Sequence, residues 1–311
     1  MNHILVISSN DLETYQDLFK NTDLSQATAH FSDGSDAELA KRCNIWFGSP
    51  SLIAPLLAQS IVPEWIQSTW AGVEPLLQAE MPTSYTLTNM RGIFNRLIAE
   101  YAVGHIFSHE LNVKSHLSSH AEKRWNPIAP RLVKGKTAGI LGVGEIGGEI
   151  ARLCKAVGMN VWGYTRSSTD CEAVDRYFHG DQLGECVAGA DYLISIMPNT
   201  AASTNLLNKD VFTKMKPTAL LINAGRGTAI VDDDLLWALR SGEIGGAVLD
   251  VFRQEPLPAD NRFWDEPNLL VTSHTAAPTL PADAVQIFVE NYERIAAGGP
   301  LKFVVDFARG Y

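Results

Sequence analysis

Between Thr137 and Ser273 six short apolar runs recur: AGIL, NVWGY, DYLISIM, ALLINA, GAVLDVF and NLLVTS. Stretches with helical spacing separate them. No other feature narrows the fold as much. Strands that alternate with helices pair in parallel, because each crossing needs a helix to carry the chain back over the sheet. The expected fold class is α/β, with a doubly wound parallel sheet of the Rossmann type. The first hundred residues repeat the alternation, with HILVIS, NIWFGS, WIQSTW and YTLTN as strands and SDAELAKRC among the segments between them. They are expected to form a smaller, flavodoxin-like α/β domain.

Residues 95–112 place Leu97, Tyr101, Gly104, Ile106 and Phe107 at helical intervals, so a long helix is expected there. The proline-bearing, basic stretch 121–136 reads as a loop ahead of the larger domain. A last amphipathic helix is expected over 282–298, stopped by Gly298 and Gly299. The chain would then return to its first domain, with boundaries at 1–100 plus 276–311 and at 101–275.

Charge and cysteine usage narrow the function. The 311 residues carry a formal net charge of -10, which argues against general nucleic-acid binding and against docking on a membrane surface. The apolar run at the N-terminus, His3 to Ile7, is too short for a signal peptide, and no stretch is long enough to span a bilayer. A cytoplasmic protein is expected. Cys43, Cys154, Cys171 and Cys186 are widely spaced with no CxxC pair, which fits a reducing compartment and no metal site. Cys154 lies in an apolar helical pattern and is expected to be packed.

The strand TAGIL runs into Gly142-x-Gly144-x-x-Gly147, and a helical pattern with Ile146, Ile150, Leu153 and Val157 on one face follows, up to Gly158. Glycines there let the backbone turn tightly and approach a pyrophosphate, and the helix start offers unpaired N–H groups. The same pattern also serves as a ligand-free strand–helix turn.

A dinucleotide site of this type often carries an acid about 20 residues on, to grip the ribose diol. Here WGYTRSS, residues 162–168, has Thr165, Arg166, Ser167 and Ser168 instead. Removing the acid removes repulsion of a 2′-phosphate, and a guanidinium with hydroxyls can hold one. NADP is therefore expected over NAD, with a solvated surface arginine as the plain alternative.

Ligands of doubly wound sheets lie beyond the carboxyl ends of the strands. Arg226 follows ALLINAG, Asp250 lies in GAVLDVF with Glu255 beyond it, and His274 follows NLLVTS. Taken alone, a histidine at a strand end is more often a structural hydrogen-bonder, Glu255 before Pro256 also reads as a loop charge, and Arg226 as a surface cation. Together they offer an acid/base, a carboxylate to orient it and a cation to hold an anionic substrate.

GVGEIG, INAGRGTAIVDDDLLWAL, GGAVLDVFRQEPLP and VTSHTAAPT, taken in order, resemble the D-isomer-specific 2-hydroxyacid dehydrogenase family. NIWFGSP and VVDFARGY are similar to its glyoxylate/hydroxypyruvate reductase A subgroup. The resemblance implies an NAD(P)-dependent enzyme. Arg226 matches a substrate-binding catalytic arginine, His274 the acid/base and Glu255 its partner. WAGVEPL looks like the family's substrate-carboxylate loop, with Ala71, Gly72 and Val73 supplying backbone groups. The resemblance further implies a dinucleotide contacted by Gly142, Gly144, Glu145, Ile146, Gly147, Thr165, Arg166, Ser167, Met197, Pro198, Asn223, Ala224, Asp250, His274 and Ala276. It implies a homodimer built through the nucleotide domain, and a substrate-binding role for 1–100 and 276–311. Formate dehydrogenases of the superfamily carry glutamine where Glu255 stands.

The expected function is NADPH-dependent reduction of small 2-oxo acids such as glyoxylate and hydroxypyruvate to 2-hydroxy acids, with NAD as the second nicotinamide. Two alternatives stay open: a dinucleotide-sensing interaction protein of the corepressor type, and a dehydrogenase for another small anion such as phosphite. Trp46, Trp70 and Trp125 are expected to be ordinary packing residues, although they could narrow a substrate pocket.

Overall fold

The computed structural model describes residues 1–24 and 26–308, so the last three residues of VVDFARGY lie outside the described residues. The chain divides into two compact units, Met1–Ile93 with Thr279–Tyr311, and Phe94–Pro278. The first unit begins with β1 (Asn2–Ile7), α1 (Leu12–Lys20), β2 (Ala27–Ser32), α2 (Ala37–Arg42), β3 (Ile45–Gly48), α3 (Pro50–Leu57), β4 (Trp65–Ser68) and β5 (Thr86–Thr88). Its five strands are all parallel in the order β2-β1-β3-β4-β5, the flavodoxin arrangement. Every residue of β3 and β4 is buried. Continuous burial is what a parallel sheet covered on both faces requires, and it explains why these strands read as unbroken apolar runs.

The second unit starts with α4 (Asn95–Glu110) and α5 (Val113–Ala121). Its sheet then builds through β6 (Thr137–Leu141), α6 (Glu145–Ala156), β7 (Asn160–Tyr164), β8 (Arg176–Phe178), α7 (Leu183–Gly189), β9 (Tyr192–Ser195), α8 (Lys209–Phe212), β10 (Leu220–Asn223), α9 (Asp232–Ser241), β11 (Gly246–Leu249) and β12 (Leu269–Val271). The parallel order is β12-β11-β10-β9-β6-β7-β8. The sheet grows one way through β7 and the other way through β9, so β6 and β9 flank the point where strand order reverses.

The last helix, α10 (Pro281–Ala296), belongs to the first unit. Phe288 is fully buried there, and its ring stacks on Trp65 at 5.1 Å and meets Phe47 edge-on at 5.4 Å. Ala297 closes the helix and Gly298 follows with φ +71, a left-handed stop that glycine adopts without a Cβ penalty.

Several expectations need correcting. A domain boundary at 100/101 would cut through α4, which packs on α6 and lies wholly in the second unit; the unit boundaries fall at 93/94 and 278/279. The buried face of α4 is Ile98, Ala99, Ala102, Val103, Ile106 and Glu110, whereas Leu97 and Phe107 are partly exposed. β2, β8 and α5 were not expected. Trp46 and Cys154 are core residues, whereas Trp70 and Trp125 are 45% and 94% exposed. No helix among the described residues is long and apolar enough to cross a membrane.

Candidate active site

The loops at the carboxyl edge of the second unit's sheet carry the residues singled out above. Gly142, just past β6, has φ +98, and a Cβ there would meet the Ile196 carbonyl oxygen at 3.1 Å. Gly147 lets α6 pack against that turn, since a Cβ on it would lie 2.1 Å from the Gly142 carbonyl oxygen. Gly144 is the residue before α6 and faces open space. No side chain caps this helix start. An open, Cβ-free cradle in front of uncapped N–H groups fits a pyrophosphate. Glu145 is exposed beside it and Ile146 is half-buried.

Past β7, the Thr165 hydroxyl donates to the Ser168 carbonyl at 2.6 Å, and the Ser168 hydroxyl donates to Asp170 at 2.9 Å. Both are spent on shaping the turn. Arg166 and Ser167 are exposed, with no ion pair or side-chain hydrogen bond among the described residues. They remain available to a phosphate group. His179, not singled out by sequence, places Nδ1 at 3.0 Å from the Thr165 carbonyl oxygen. A carbonyl only accepts, so this nitrogen carries the proton and braces the turn.

Other residues expected at the dinucleotide are occupied in holding loops. Met197 turns its side chain into the hydrophobic core, leaving backbone at the end of β9. Pro198 beside it is exposed, and its carbonyl accepts from Ser203 at 2.6 Å. Asn223 is fully buried, donates to the Arg226 carbonyl at 3.0 Å and accepts from Gly225 N–H at 3.3 Å. Ala224 N–H donates to the Ser195 carbonyl at 3.2 Å. Asp250 is 2% exposed and accepts from the Thr272 hydroxyl at 2.5 Å, Thr275 N–H at 2.8 Å and Ala276 N–H at 3.0 Å. A carboxylate has about four acceptor positions, so little is left for another donor.

His274 and Glu255, expected to act as acid/base and partner, pair within this unit. His274 Nδ1 lies 2.7 Å from Glu255 Oε2, and Phe252 N–H donates to Glu255 Oε1 at 2.8 Å. The hydrogen bond His274 donates to Glu255 raises the His274 pKa above its usual value; burial opposes this, and the charges of Glu255 and Asp250 add to it. Burial pushes Glu255 up, but His274, Phe252 N–H and Arg226 together bring its carboxyl below the usual range. The two shifts agree: both favour an imidazolium facing a carboxylate. Arg226 follows β10, is half-buried, and bonds its own turn through Nη1 to the Gly225 carbonyl at 2.8 Å. Its charge is felt by both partners, lowering each pKa. His274 itself has φ +54, a conformation uncommon for a residue with a side chain.

Ala71, Gly72 and Val73 follow β4 in the first unit. Val73 buries its side chain in that unit's core, and the Ala71 carbonyl accepts from Asn89 at 2.7 Å. Their three N–H groups donate to no protein group among the described residues.

Sequence reasoning missed Tyr101, Thr272, Thr275 and His179. Thr272 stands two residues before His274, a nearness that could have flagged it. Nothing local flags Tyr101, which bonds Thr272 across 171 positions.

This geometry has close counterparts. Residues 103–276 match the family model for D-isomer specific 2-hydroxyacid dehydrogenase, NAD binding domain. The glyoxylate/hydroxypyruvate reductase A of Serratia proteamaculans is 33% identical over 248 residues, 78% of this chain and 79% of that protein. A D-isomer specific 2-hydroxyacid dehydrogenase family protein of Aeromonas salmonicida superposes with a TM-score of 0.94 at 39% identity, covering 98% of this chain and 99% of that one. The NADPH-dependent glyoxylate/hydroxypyruvate reductase of Sinorhizobium meliloti, solved with NADP and sulfate, has a TM-score of 0.86 at 26% identity over the full length of both chains. The chain belongs to the D-isomer-specific 2-hydroxyacid dehydrogenase family. It is thus an NAD(P)-dependent oxidoreductase, a 2-hydroxyacid dehydrogenase, and its likeness to the reductase A subgroup bears on substrate.

Proposed function

We propose that the chain reduces small 2-oxo acids to 2-hydroxy acids with NADPH, and that glyoxylate and hydroxypyruvate are its substrates. The observation that carries this reading is the 2.7 Å His274–Glu255 pair, within the electrostatic reach of Arg226, at the sheet edge where ligands bind. NADPH, when bound, supplies the hydride that reduces the carbonyl carbon. His274 spends Nδ1 on Glu255, so Nε2 presents the proton to the carbonyl oxygen. Glu255 holds the ring's orientation and keeps it protonated. Arg226 is assigned to the substrate carboxylate, and Ala71, Gly72 and Val73, whose N–H groups are unengaged in their own unit, are assigned to substrate binding.

The cofactor preference rests on Arg166 and Ser167, exposed after β7, with no acid at position 165. The Sinorhizobium meliloti relative, which holds NADP, supports it. The name of the Serratia proteamaculans relative supports the substrate class. The unit Phe94–Pro278 is assigned to the dinucleotide, and Met1–Ile93 with Thr279–Tyr311 to the substrate. We further propose a homodimer, because Leu117, Trp125 and Leu132 leave large apolar side chains in solvent on the second unit. A cytoplasmic setting is in keeping with four free cysteines.

Initial rates with glyoxylate, hydroxypyruvate and pyruvate, each under NADPH and NADH, test the reading. Turnover of the first two with NADPH is expected. Folded protein that fails to oxidise NADPH with any 2-oxo acid overturns it.

A further inference from the structure

Asp250 gathers hydrogen bonds from both sides of His274. Thr272 donates to Oδ1 at 2.5 Å, Thr275 N–H to Oδ1 at 2.8 Å and Ala276 N–H to Oδ2 at 3.0 Å. The His274 N–H itself donates to the Asp250 carbonyl at 2.9 Å. A single buried residue thus fixes the backbone of the loop on which the acid/base rides, while Glu255 fixes its ring. Thr272 is in turn bonded to Tyr101 on α4, with 2.8 Å between the hydroxyl oxygens.

Donor counting sets the direction of this chain. An ionised carboxylate only accepts, so the single Thr272 hydroxyl proton goes to Asp250. The Thr272 oxygen must then accept from Tyr101. Burial raises the Tyr101 pKa; the hydrogen bond with Thr272 opposes this and the nearby Asp250 charge adds to it, so the phenol keeps its proton. His105, edge-on to the Tyr101 ring at 4.4 Å, has its pKa lowered by burial, with the Asp250 charge opposing. The charged groups felt by the His274 ring are Glu255, Asp250 and Arg226.

We propose that Tyr101 and Thr272 are positioning residues: a one-way hydroxyl relay from α4 through Thr272 to Asp250 that holds the His274 loop in its left-handed conformation. The proposal rests on the reading of His274 as the acid/base. The relay leaves the Glu255–His274 bond untouched, so its loss misplaces the imidazole without unpairing it. Such misplacement acts on turnover rather than on binding, because a displacement of about 1 Å can cost on the order of a hundredfold in rate.

The test uses the full-length enzyme with Thr272→Val, Thr272→Ser, Tyr101→Phe and the Tyr101→Phe/Thr272→Val double variant, alongside His274→Ala. Thr272→Val is expected to lower kcat by about tenfold or more, with the Michaelis constants for NADPH and the 2-oxo acid nearly unchanged. Thr272→Ser, which keeps the hydroxyl, restores most of the loss. The double variant is no worse than Thr272→Val, since Tyr101 acts through Thr272. The pH profile of kcat/KM keeps its midpoint in all of them, because Glu255 still pairs His274. An unchanged kcat in Thr272→Val, equal damage in Thr272→Ser, or additive losses in the double variant overturn the relay. If Thr272→Val damages stability, the Thr272→Ser and Tyr101→Phe pair alone decides: full activity in Tyr101→Phe, or no rescue by serine, sinks it. Retained activity in His274→Ala instead overturns the acid/base reading itself.

Discussion

His274 and Glu255 set each other's protonation, and the direction of the effect makes it measurable. The reduction needs the imidazolium. A raised pKa keeps that form present to higher pH, so kcat/KM for reduction should be flat at low pH and fall as pH rises through a midpoint above the usual histidine value. Glu255→Gln removes the stabilising carboxylate, and its midpoint should move to lower pH. His274→Ala should lose roughly 10²–10⁴ in kcat while dinucleotide binding, followed by fluorescence, is retained. Full activity in that variant would overturn the acid/base reading. At the other end of the dinucleotide, Arg166→Ala should raise the Michaelis constant for NADPH by about tenfold, the scale of one charge-assisted hydrogen bond, and change that for NADH little. Equal effects on both cofactors would count against the phosphate contact. Arg226, Glu255 and His274 were legible in the sequence because each stands just past an apolar run, where parallel strands present ligands. Tyr101 was not legible, because its partner lies on another element far along the chain.

At the scale of elements, the two strands that escaped sequence reading share one property. β2 and β8 each stand at an edge of their sheet and are largely half-exposed. An edge strand has one neighbour and needs no unbroken apolar run, so the signal that reveals a central strand is missing. α5 escaped for a related reason: of its residues only Ser119 is buried. The glycine turn, by contrast, was readable because strand, turn and helix follow one another directly. Its tolerance is narrow. Gly147→Ala would drive a methyl group into the Gly142 carbonyl, a backbone group that cannot swing aside as a side chain would. The variant should lose about 1–3 kcal/mol of stability and weaken NADPH binding. Thermal melts with and without NADPH check both effects, and a wild-type dissociation constant would contradict the close-packing argument.

For the molecule as a whole, the exposed apolar residues of the second unit bear on assembly. Trp125 at 94% exposure and Leu132 at 81% sit in a stretch that the sequence reads only as a loop. Trp125→Asp should shift the protein from dimer to monomer in sedimentation equilibrium, and an unchanged mass would remove Trp125 from any interface. Fold class, the strand-end sites and the glycine turn followed from the sequence alone, because they are written in local periodicity and in residues adjacent along the chain. Which unit owns α4, which face it buries, and which hydroxyls bond one another beside Asp250 were decided by tertiary structure. Those contacts join residues far apart in sequence, and only packing brings them within hydrogen-bonding distance.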